Sequence, residues 1–259
     1  MQLVGKVALI TGANSGIGFA TAQLFAQQGA KVAMLGHSPA DIEAAATQVQ
    51  QWGEVIPLVA DVTNAEAMQA AIGQVMEKWN RLDIVFANAG INGVWAPVDK
   101  LELQDWNQTI NVNLTGTFLT VKYAIPHLKQ QGGSIIVNSS VNGTRMFSNT
   151  GATAYACSKA AQVAFTKMVA LELAKCHVRI NVICPGAIAT GLITATHKYD
   201  LEGVGLRVDY PEGAIPLSDG QLGTAEQVAQ LVLFLASEAS SHITGTEIWI
   251  DGGQSLIQG

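Results

Sequence analysis

The chain has 259 residues and a mass of 27.2 kDa, which fits one large α/β domain or two small ones. Hydrophobic residues make up 49% of it and charged residues only 13%, a balance that excludes a disordered protein, and the 26 glycines lack the three-residue period of a collagen-like fibre. The net charge of −6 and the isoelectric point near 5.3 argue against nucleic acid or an anionic membrane as the main partner.

Short apolar runs recur along the whole chain and predict strands. Most of them are continuous rather than alternating, as in strands that are covered on both faces. The predicted strands are Lys6–Ile10, Lys31–Leu35, Val55–Ala60, Leu82–Ala87, Ser134–Asn138, Val178–Cys184 and Glu247–Ile250.

Longer Ala-, Gln- and Leu-rich stretches lie between these runs and predict helices. The predicted helices are Gly16–Gln28, Pro39–Gln51, Ala65–Lys78, Leu103–Gln130, Thr153–Ala174 and Ala225–Ala236. Asp41, Asn64 and Thr224 sit at or near helix starts, where short polar side chains can cap. The alternation of strands and helices predicts an α/β fold, a doubly wound parallel sheet of about seven strands with helices on both faces.

No Pro/Ser-rich linker and no internal repeat divides the chain, so we expect a single domain over residues 1–259. The long irregular stretch Gly191–Gly223 is rich in glycine and proline. A loop of that length in a compact domain is usually functional, and we expect it to form a lid over a substrate.

Small, polar or turn-forming residues follow five of the predicted strands. They are Thr11–Gly18, Asp61, Asn88-Ala89-Gly90, Ser139-Ser140 and Pro185-Gly186. Ligands of open parallel sheets bind outside the carboxyl ends of the strands. The five strand ends therefore predict one continuous crevice.

The first of these strand ends is a glycine-rich loop with the spacing GxxxGxG, formed by Gly12, Gly16 and Gly18. Glycines let a backbone turn tightly, approach a pyrophosphate and start a helix whose N–H groups face the anion. The spacing departs from the GxGxxG dinucleotide fingerprint, and a plain strand–helix turn is the alternative. Its place after the first strand favours nucleotide binding.

Tyr155 and Lys159 lie four residues apart on a predicted helix and therefore share one face. A free phenol has a pKa near 10, and a neighbouring ammonium is expected to lower the pKa of Tyr155 toward neutral pH. That arrangement suits proton transfer. The alternative is a surface pair on an amphipathic helix, which the nucleotide loop and the Ser139-Ser140 strand end argue against.

Together these motifs resemble those of the short-chain dehydrogenase/reductase superfamily, in its single-domain form of about 250 residues. The motifs that carry the resemblance are TGxxxGIG at Thr11–Gly18, Asn88-Ala89-Gly90, Asn113, Ser140, Tyr155 with Lys159, and Pro185-Gly186. The resemblance runs from Lys6 to Asp251-Gly252-Gly253. It implies a Rossmann-type fold and an oxidoreductase that transfers hydride between a nicotinamide cofactor and a carbonyl or secondary alcohol carbon.

The resemblance also implies roles for four residues. Tyr155 would be the general acid in reduction and the base in oxidation, and Lys159 would hold the nicotinamide ribose and lower the pKa of Tyr155. Ser140 would hydrogen-bond the substrate oxygen. Asn113 would anchor a water that links Lys159 to solvent, with Asn111 as its rival.

The stretch between Ser140 and Tyr155 departs slightly from the family pattern. The two residues are 15 positions apart, longer than the commonest spacing, and Ser139 stands beside Ser140. We expect a longer loop through Thr144–Ala154 that reshapes the pocket wall, and Ser140 rather than Ser139 to face the substrate.

The family pattern further implies a set of cofactor-binding residues. Asp61 and Val62 would lie at the adenine ring and Asn88, Ala89 and Gly90 beside the adenine ribose, while Ile188 and Thr190 would hold the nicotinamide amide. The full set is Gly12, Asn14, Ser15, Gly16, Ile17, Gly18, His37, Asp61, Val62, Asn88, Ala89, Gly90, Tyr155, Lys159, Pro185, Gly186, Ile188 and Thr190.

The choice between NADP and NAD is expected at the end of the second strand, where an acid binds the ribose 2′-hydroxyl and repels a 2′-phosphate. Here Gly36, His37 and Ser38 stand instead, and Asp41 already lies in the next helix. The arginine that usually grips the phosphate is missing at Ser15 and His37. We expect NADP(H) to be favoured over NAD(H), with His37 as a hydrogen-bond donor to the 2′-phosphate. The alternative for His37 is an ordinary exposed loop histidine.

The five histidines show no metal-ligand spacing, so we expect no catalytic metal. Three cysteines, Cys157, Cys176 and Cys184, form neither a CxxC pair nor an even framework, which favours a reducing, cytoplasmic location. We expect Cys157 to be buried and inert. No secretory signal is seen at the N-terminus, and no apolar stretch approaches the roughly 18 residues of a membrane span.

The low charge content and the positive mean hydropathy of +0.26 suggest that part of the apolar surface is buried between subunits. The resemblance implies a homotetramer, with helices Leu103–Gln130 and Thr153–Ala174 at one interface and the final strand at another.

The resemblance implies a small carbonyl or alcohol substrate, with 3-oxoacyl thioesters, small ketones, cyclic ketones and polyols as candidates. An apolar wall is expected from Trp95 and from lid residues Leu192, Ile193, Tyr199, Leu201, Leu206, Tyr210 and Leu217. The alternative is that these residues only pack the lid onto the body. A catalytically silent cofactor-binding protein and a methyltransferase are the competing functions, and the presence of both Tyr155 and Lys159 argues against each.

Overall fold

The computed structural model of the chain describes residues 1–192, 195–206, 210 and 213–258. The strands are β1 Val7–Thr11, β2 Lys31–Gly36, β3 Val55–Val59, β4 Ile84–Ala87, β5 Val94–Trp95, β6 Gly133–Asn138, β7 Val178–Pro185, β8 His197–Lys198 and β9 Glu247–Ile250. The α-helices are α1 Gly16–Gln27, α2 Pro39–Val49, α3 Ala65–Trp79, α4 Leu103–Ile110, α5 Gly116–Leu128, α6 Thr153–Leu173, α7 Ala225–Ala236 and α8 Gln254–Ile257. Short 3₁₀ turns cover Ala174–Cys176, Pro216–Ser218 and Glu238–Ser240.

Seven strands form one parallel sheet in the order β3-β2-β1-β4-β6-β7-β9. The order reverses between β1 and β4, which is where open α/β sheets bind ligands. The predicted Rossmann-type, doubly wound sheet is therefore confirmed. Each predicted strand of the main sheet is present within two residues of its expected ends.

Alternate residues of the central strands pack into two separate cores, one on each face of the sheet. Leu9 belongs to the core that contains residues of α3, α5 and α6, whereas Ile10 belongs to the core that contains residues of α1, α2 and α7. The continuous apolar character of these strands has this cause, because both of their faces are covered.

Two of the three expected helix caps are present. The side chain of Asn64 accepts a hydrogen bond from Ala67 N at the start of α3, and Thr224 forms a capping box with Gln227 at the start of α7. Asp41 is not a cap. It lies in the first turn of α2, whose N-terminal cap is Ser38, and there its carboxylate interacts favourably with the helix dipole.

The stretch predicted as one helix, Leu103–Gln130, is divided. A π-helical segment at Asn111–Thr115 separates α4 from α5. Such segments occur often at functional sites, because the extra residue turns backbone groups out of the regular hydrogen-bond ladder. This one carries Asn113.

Two short strands join the loop after β4 to the region expected as a lid. Val94 pairs with His197 and Trp95 with Lys198 in a separate two-stranded parallel sheet. Ile193 of the expected apolar wall, together with Thr194, Arg207–Asp209, Pro211 and Glu212, lies outside the described residues.

Candidate active site

A cavity of about 890 Å³ opens at the carboxyl ends of the central strands. Its lining includes all the predicted site residues except Gly18 and Asn113. The predicted residues that line it are Gly12, Asn14, Ser15, Gly16, Ile17, His37, Asp61, Val62, Asn88, Ala89, Gly90, Ser140, Tyr155, Lys159, Pro185, Gly186, Ile188 and Thr190. Residues that are remote in sequence thus meet around one space.

Gly18 supports the glycine loop from behind. A Cβ atom at this position would collide with the carbonyl oxygen of Gly12, so a larger residue would displace the loop. Asn88 holds the same loop from the neighbouring strand, because its Nδ2 donates to the carbonyl oxygens of Thr11 at 3.0 Å and of Gly12 at 3.2 Å. The loop is therefore fixed by β4 and by the first turn of α1.

The first turn of α1 faces the cavity through Ser15, Gly16 and Ile17. Ser15 is the N-terminal cap, but its side chain makes no capping hydrogen bond. The N–H groups of the first turn and the positive end of the helix dipole are thus available to an anion. A pyrophosphate between two nucleosides fits this donor set.

Asp61 and His37 stand at the end of the cavity formed by β2 and β3. Both side chains belong to exposed residues that line the cavity. Oδ1 of Asp61 also accepts hydrogen bonds of 2.8 Å from the backbone N and the Oγ1 of Thr63, which stabilises the turn before α3. Asp61 is therefore both a turn residue and part of the cavity wall.

Tyr155 and Lys159 project from α6 into the opposite end of the cavity. Both are buried, and the Lys159 ammonium lies 5.5 Å from the centre of the Tyr155 ring. Nζ of Lys159 donates to the carbonyl oxygen of Asn138, the last residue of β6, at 2.8 Å. Burial lowers the pKa of Lys159 to about 8.

The pKa of Tyr155 departs from the sequence-based expectation. Burial raises it above the ordinary value, and a hydrogen bond with Ser140 only partly opposes this shift. The expected lowering by Lys159 is therefore absent in the chain without cofactor. The physical reason is that both groups lie out of water, which disfavours the phenolate and the ammonium alike.

The two neighbouring serines have different partners. Oγ of Ser139 donates to the backbone carbonyl of Lys159 at 2.8 Å and so joins β6 to α6. Oγ of Ser140 instead accepts from the backbone N of Asn142 at 3.1 Å and interacts with Tyr155. Of the two hydroxyls, that of Ser140 is the one hydrogen-bonded to the tyrosine.

Asn113 is fully buried beneath the cavity. Its side-chain Nδ2 donates to Ile91 O and to Ser158 Oγ, both at 2.9 Å, and its Oδ1 accepts from Ile91 N at 2.8 Å. Its carbonyl oxygen accepts from Thr117 Oγ1 and Gln162 Nε2. Asn113 thus holds the loop after β4 against α6, and only the second lone pair of Oδ1 is left for the expected water.

Several cavity residues carry no signal in the predicted motifs. Asn142 and Asn149 form part of the wall beyond Ser140, and Gln254 Oε1 accepts from Ala187 N at 2.8 Å to hold the loop after β7. Asn149 lies in the stretch Thr144–Ala154, where the spacing between Ser140 and Tyr155 predicts a longer loop. Asn142 and Gln254 stand next to the motifs at Ser140 and Asp251-Gly252-Gly253 but are not part of them, so only the fold shows that they reach the cavity.

Among the described residues of the expected apolar wall, most do not line the cavity. Trp95 and Leu192 line it, but Leu206 and Leu217 are 92% and 86% exposed. Tyr199 donates its hydroxyl proton to Lys100 O at 2.8 Å, so it packs the region onto the body of the protein. The alternative reading of these residues as packing contacts holds for Tyr199.

The expectation that Cys157 is buried is wrong, because it lies on the exposed side of α6, away from Tyr155 and Lys159. Cys184 is the buried cysteine, and burial raises the pKa of its thiol to about 11. Across residues 1–192, 195–206, 210 and 213–258, no group of three or more His, Cys, Asp and Glu side chains is arranged to hold a metal ion. None of the helices in those ranges is long and apolar enough to cross a membrane.

Comparison with known proteins gives consistent matches over almost the whole chain. A family model described as enoyl-(acyl carrier protein) reductase matches residues 12–255. The chain is 40% identical to a 3-oxoacyl-[acyl-carrier-protein] reductase of Thermotoga maritima, over 98% of this chain and 99% of that protein.

Solved structures also match almost the whole chain. A 3-ketoacyl-ACP reductase from Sinorhizobium meliloti is 48% identical, with a TM-score of 0.92 over 97% of this chain and 99% of that one. A 3-ketoacyl-(acyl-carrier-protein) reductase from Brucella melitensis, complexed with NADH, is 30% identical, with a TM-score of 0.86 over 98% of this chain and 99% of that one. The chain belongs to the short-chain dehydrogenase/reductase superfamily and is an oxidoreductase that acts on CH–OH and C=O groups with a nicotinamide cofactor.

Proposed function

We propose that the protein is an NADP(H)-preferring reductase of carbonyl compounds in which Tyr155 supplies the proton. The observation that carries this proposal is that one cavity contains the glycine loop, the first turn of α1 and the Tyr155–Ser140 pair. In reduction the carbonyl carbon gains a hydride and the carbonyl oxygen gains a proton, and alcohol oxidation is the reverse. The bound nicotinamide supplies or accepts the hydride.

The residues of the catalytic end have distinct proposed roles. Tyr155 donates a proton to the substrate oxygen, and Ser140 hydrogen-bonds the same oxygen as charge develops on it. Lys159 would hold the hydroxyls of the nicotinamide ribose. A ribose hydroxyl held by the Lys159 ammonium beside the Tyr155 phenol would favour the phenolate form of Tyr155. Asn113 positions the loop after β4 through its three hydrogen bonds to Ile91 and Ser158.

The rest of the cavity is proposed as the cofactor site. The donors of the α1 first turn bind the pyrophosphate, and Asp61 and Val62 contact the adenine ring. Asn88, Ala89 and Gly90 lie beside the adenine ribose. The nicotinamide end is formed by Pro185, Gly186, Ile188 and Thr190, all of which line the cavity.

A preference for NADP(H) over NAD(H) is supported by the side chains at the end of β2. His37 lines the cavity there, and no acidic residue of the β2–α2 connection lines it. The acidic residue among the described lining residues is Asp61, which follows β3 instead. A 2′-phosphate would meet a histidine donor rather than a carboxylate. The Brucella melitensis relative, by contrast, is complexed with NADH.

The substrate is proposed to be a 3-oxoacyl compound, with cyclic ketones, small ketones and polyols as the alternatives. The first choice is supported by the similarity to the 3-oxoacyl-[acyl-carrier-protein] reductase of Thermotoga maritima and the 3-ketoacyl-ACP reductase of Sinorhizobium meliloti. We further propose that residues 1–259 form one domain and that residues 191–223 form its substrate lid. The chain is proposed to work as a homotetramer in the cytoplasm, where exposed Cys157 would stay reduced.

Fluorescence titration with NADPH and NADH, on the wild type and on His37→Ala, tests the cofactor assignment. We expect tighter binding of NADPH, and a loss of that preference in His37→Ala while NADH affinity is kept. Asn64→Ala, which removes a helix cap outside the cavity, is the matched control. Tighter binding of NADH by the wild type would contradict the NADP preference, and binding of neither would contradict the proposed function.

Tyr155→Phe tests the acid–base role. Because proton transfer by a positioned side chain contributes roughly 10²- to 10⁴-fold to rate, kcat is expected to fall by that factor while NADPH affinity stays within about twofold. Steady-state kinetics beside the same titration measures both quantities. A variant with normal turnover would show that another group supplies the proton.

A further inference from the structure

An amide pair, Asn142 and Asn149, forms the cavity wall beyond Ser140. Nδ2 of Asn149 donates to Oδ1 of Asn142 at 2.8 Å, and both half-buried residues line the cavity. Within the described part of the chain, no group accepts a hydrogen bond from Nδ2 of Asn142. In either orientation of the two amides, one of them keeps a complete –NH₂ group for a ligand.

The pair is held at a fixed place relative to the reacting oxygen. The backbone N of Asn142 donates to Ser140 Oγ, and Gly143 N donates to Met146 O at 3.1 Å. Gly143 has a φ of +78°, and a Cβ there would collide with the carbonyl oxygen of Ala156, the residue after Tyr155. The loop that carries Asn142 therefore rests directly on α6 beside the phenol.

The part of the cavity away from the cofactor end offers hydrogen-bond donors to a ligand. Nζ of Lys198 lies 4.5 Å from the centre of the Trp95 ring, and both residues line the cavity. The acid among the described lining residues, Asp61, lies after β3 at the cofactor end. Away from the cofactor end, the described lining therefore offers amide and ammonium donors and no carboxylate, which suits a ligand oxygen that accepts hydrogen bonds.

We propose that Asn142 and Asn149 form a specificity subsite for a second carbonyl or carboxyl oxygen, close to the carbonyl that is reduced. This inference rests on the proposed function and deepens it. A substrate without that oxygen covers the half-buried amide donor without giving it a partner, which costs more than the hydrogen bond itself gains. The subsite thus selects 3-oxo esters and thioesters over plain ketones of the same length.

Matched substrates test the subsite. Ethyl 3-oxobutanoate and 2-heptanone have the same chain length, but only the first carries a second carbonyl. We measure kcat/KM for both with NADPH and compare their ratio between variants, because the ratio cancels differences in intrinsic reactivity. In Asn142→Asp the carboxylate still accepts from Asn149 but no longer donates, so the ratio is expected to fall roughly tenfold.

Asn107→Asp, at an exposed position on α4 outside the cavity lining, adds the same charge and is expected to keep the wild-type ratio. Asn142→Leu removes the donor without adding a charge and serves as a second variant, with NADPH affinity as the check on folding. An unchanged ratio in both Asn142 variants would overturn the subsite and leave the proposed function intact. A wild type that binds NADPH but reduces neither ketone would contradict the proposed function, and the subsite with it.

Discussion

The ammonium of Lys159 is buried beside groups that do not neutralise it. It is 4% exposed, and its hydrogen-bond partner is the neutral carbonyl oxygen of Asn138. Burial lowers its pKa from 10.5 to about 8, so the folded chain without cofactor holds this charge against a desolvation cost. Such a cost is typical of residues that are kept for function rather than for stability.

Lys159→Met is therefore expected to stabilise the chain without cofactor at pH 7. The shift of pKa corresponds to on the order of 3 kcal/mol, from which the lost hydrogen bond to Asn138 subtracts about 1 kcal/mol. The unfolded lysine keeps its proton up to pH 10.5, whereas the folded one loses it near pH 8. The wild type accordingly regains stability relative to the variant as the pH rises through this interval.

Urea unfolding of both proteins at pH 7 and pH 10 measures this difference. We expect the free energy of unfolding of Lys159→Met to exceed that of the wild type at pH 7 and the gap to narrow at pH 10. Turnover of the variant is expected to be lost. A variant less stable than the wild type at pH 7 would show that the buried ammonium is stabilised in the fold.

Ser139 and Ser140 provide a second test at this scale. Ser140→Ala removes the hydroxyl that interacts with Tyr155, so kcat is expected to fall by roughly 10²-fold with little change in stability. Ser139→Ala removes the bond to the backbone of Lys159 and is expected to cost about 1 kcal/mol in the free energy of unfolding. Kinetics and urea unfolding of both variants separate the roles. The reverse pattern would assign the substrate contact to Ser139.

At the scale of secondary-structure elements, the strands of the main sheet were predictable from their apolar sequences. Very short strands and irregular helical segments were not. The strands of the main sheet have both faces buried, and this leaves a continuous apolar signature in sequence. The two-residue strands β5 and β8 have no such signature, because their pairing depends on where the fold brings residues 94–95 and 197–198. The π-helical segment at Asn111–Thr115 contains neither proline nor glycine, and the single Gly116 that follows it does not distinguish a π-helical turn from an ordinary helix.

The residues of the site were predictable where the chemistry requires particular residue types. They were not predictable where the tertiary structure decides which residues reach the cavity or how deeply they are buried. Tyr155, Lys159 and the glycine loop follow from their motifs, and the structure brings them to one cavity. The pKa of Tyr155 depends on burial, which spacing on a helix does not report. Asn142 reaches the cavity through the loop geometry at Gly143, which sequence alone does not specify.

The short sheet of β5 and β8 leads to a prediction about the lid. Asn92 Nδ2 donates to Thr196 Oγ1 at 2.6 Å, and Tyr199 OH donates to Lys100 O at 2.8 Å. Tyr199→Phe removes one of these bonds outside the cavity lining, at a cost of about 1 kcal/mol to closure of the proposed lid. We expect KM for the carbonyl substrate to rise by roughly three- to fivefold, while kcat and NADPH affinity stay near the wild-type values.

Hydrogen exchange checks the same point directly. The backbone amide of Tyr199 is expected to exchange faster in Tyr199→Phe, because it donates to Trp95 O at 3.1 Å across this contact. Asp200→Asn, which removes only the exposed ion pair with Lys100, is the control and is expected to have little effect. Unchanged exchange and an unchanged KM in Tyr199→Phe would contradict the lid.

At the scale of the whole molecule, α5 and α6 carry large apolar side chains on their exposed faces. Met168 and Leu171 on α6 are 68% and 83% exposed, and Phe118 on α5 is 43% exposed. Strand β9 ends the sheet, and among the described strands it pairs with β7 alone, which leaves its other edge open. An open edge and an apolar helix face are surfaces that proteins usually cover, and these two lie where the resemblance implies subunit interfaces.

The double variant Met168→Glu/Leu171→Glu tests the proposed tetramer. The two residues lie three positions apart on α6 and so share one face, where two carboxylates would have to be buried on association. Light scattering coupled to gel filtration is expected to give four chains for the wild type and two for the variant, because the β9 edge is unchanged. Trp52→Glu, at an exposed residue near the β3 edge, is the control and is expected to keep four chains. Circular dichroism shows whether the variant remains folded, and a folded variant that still contains four chains would remove α6 from the interface.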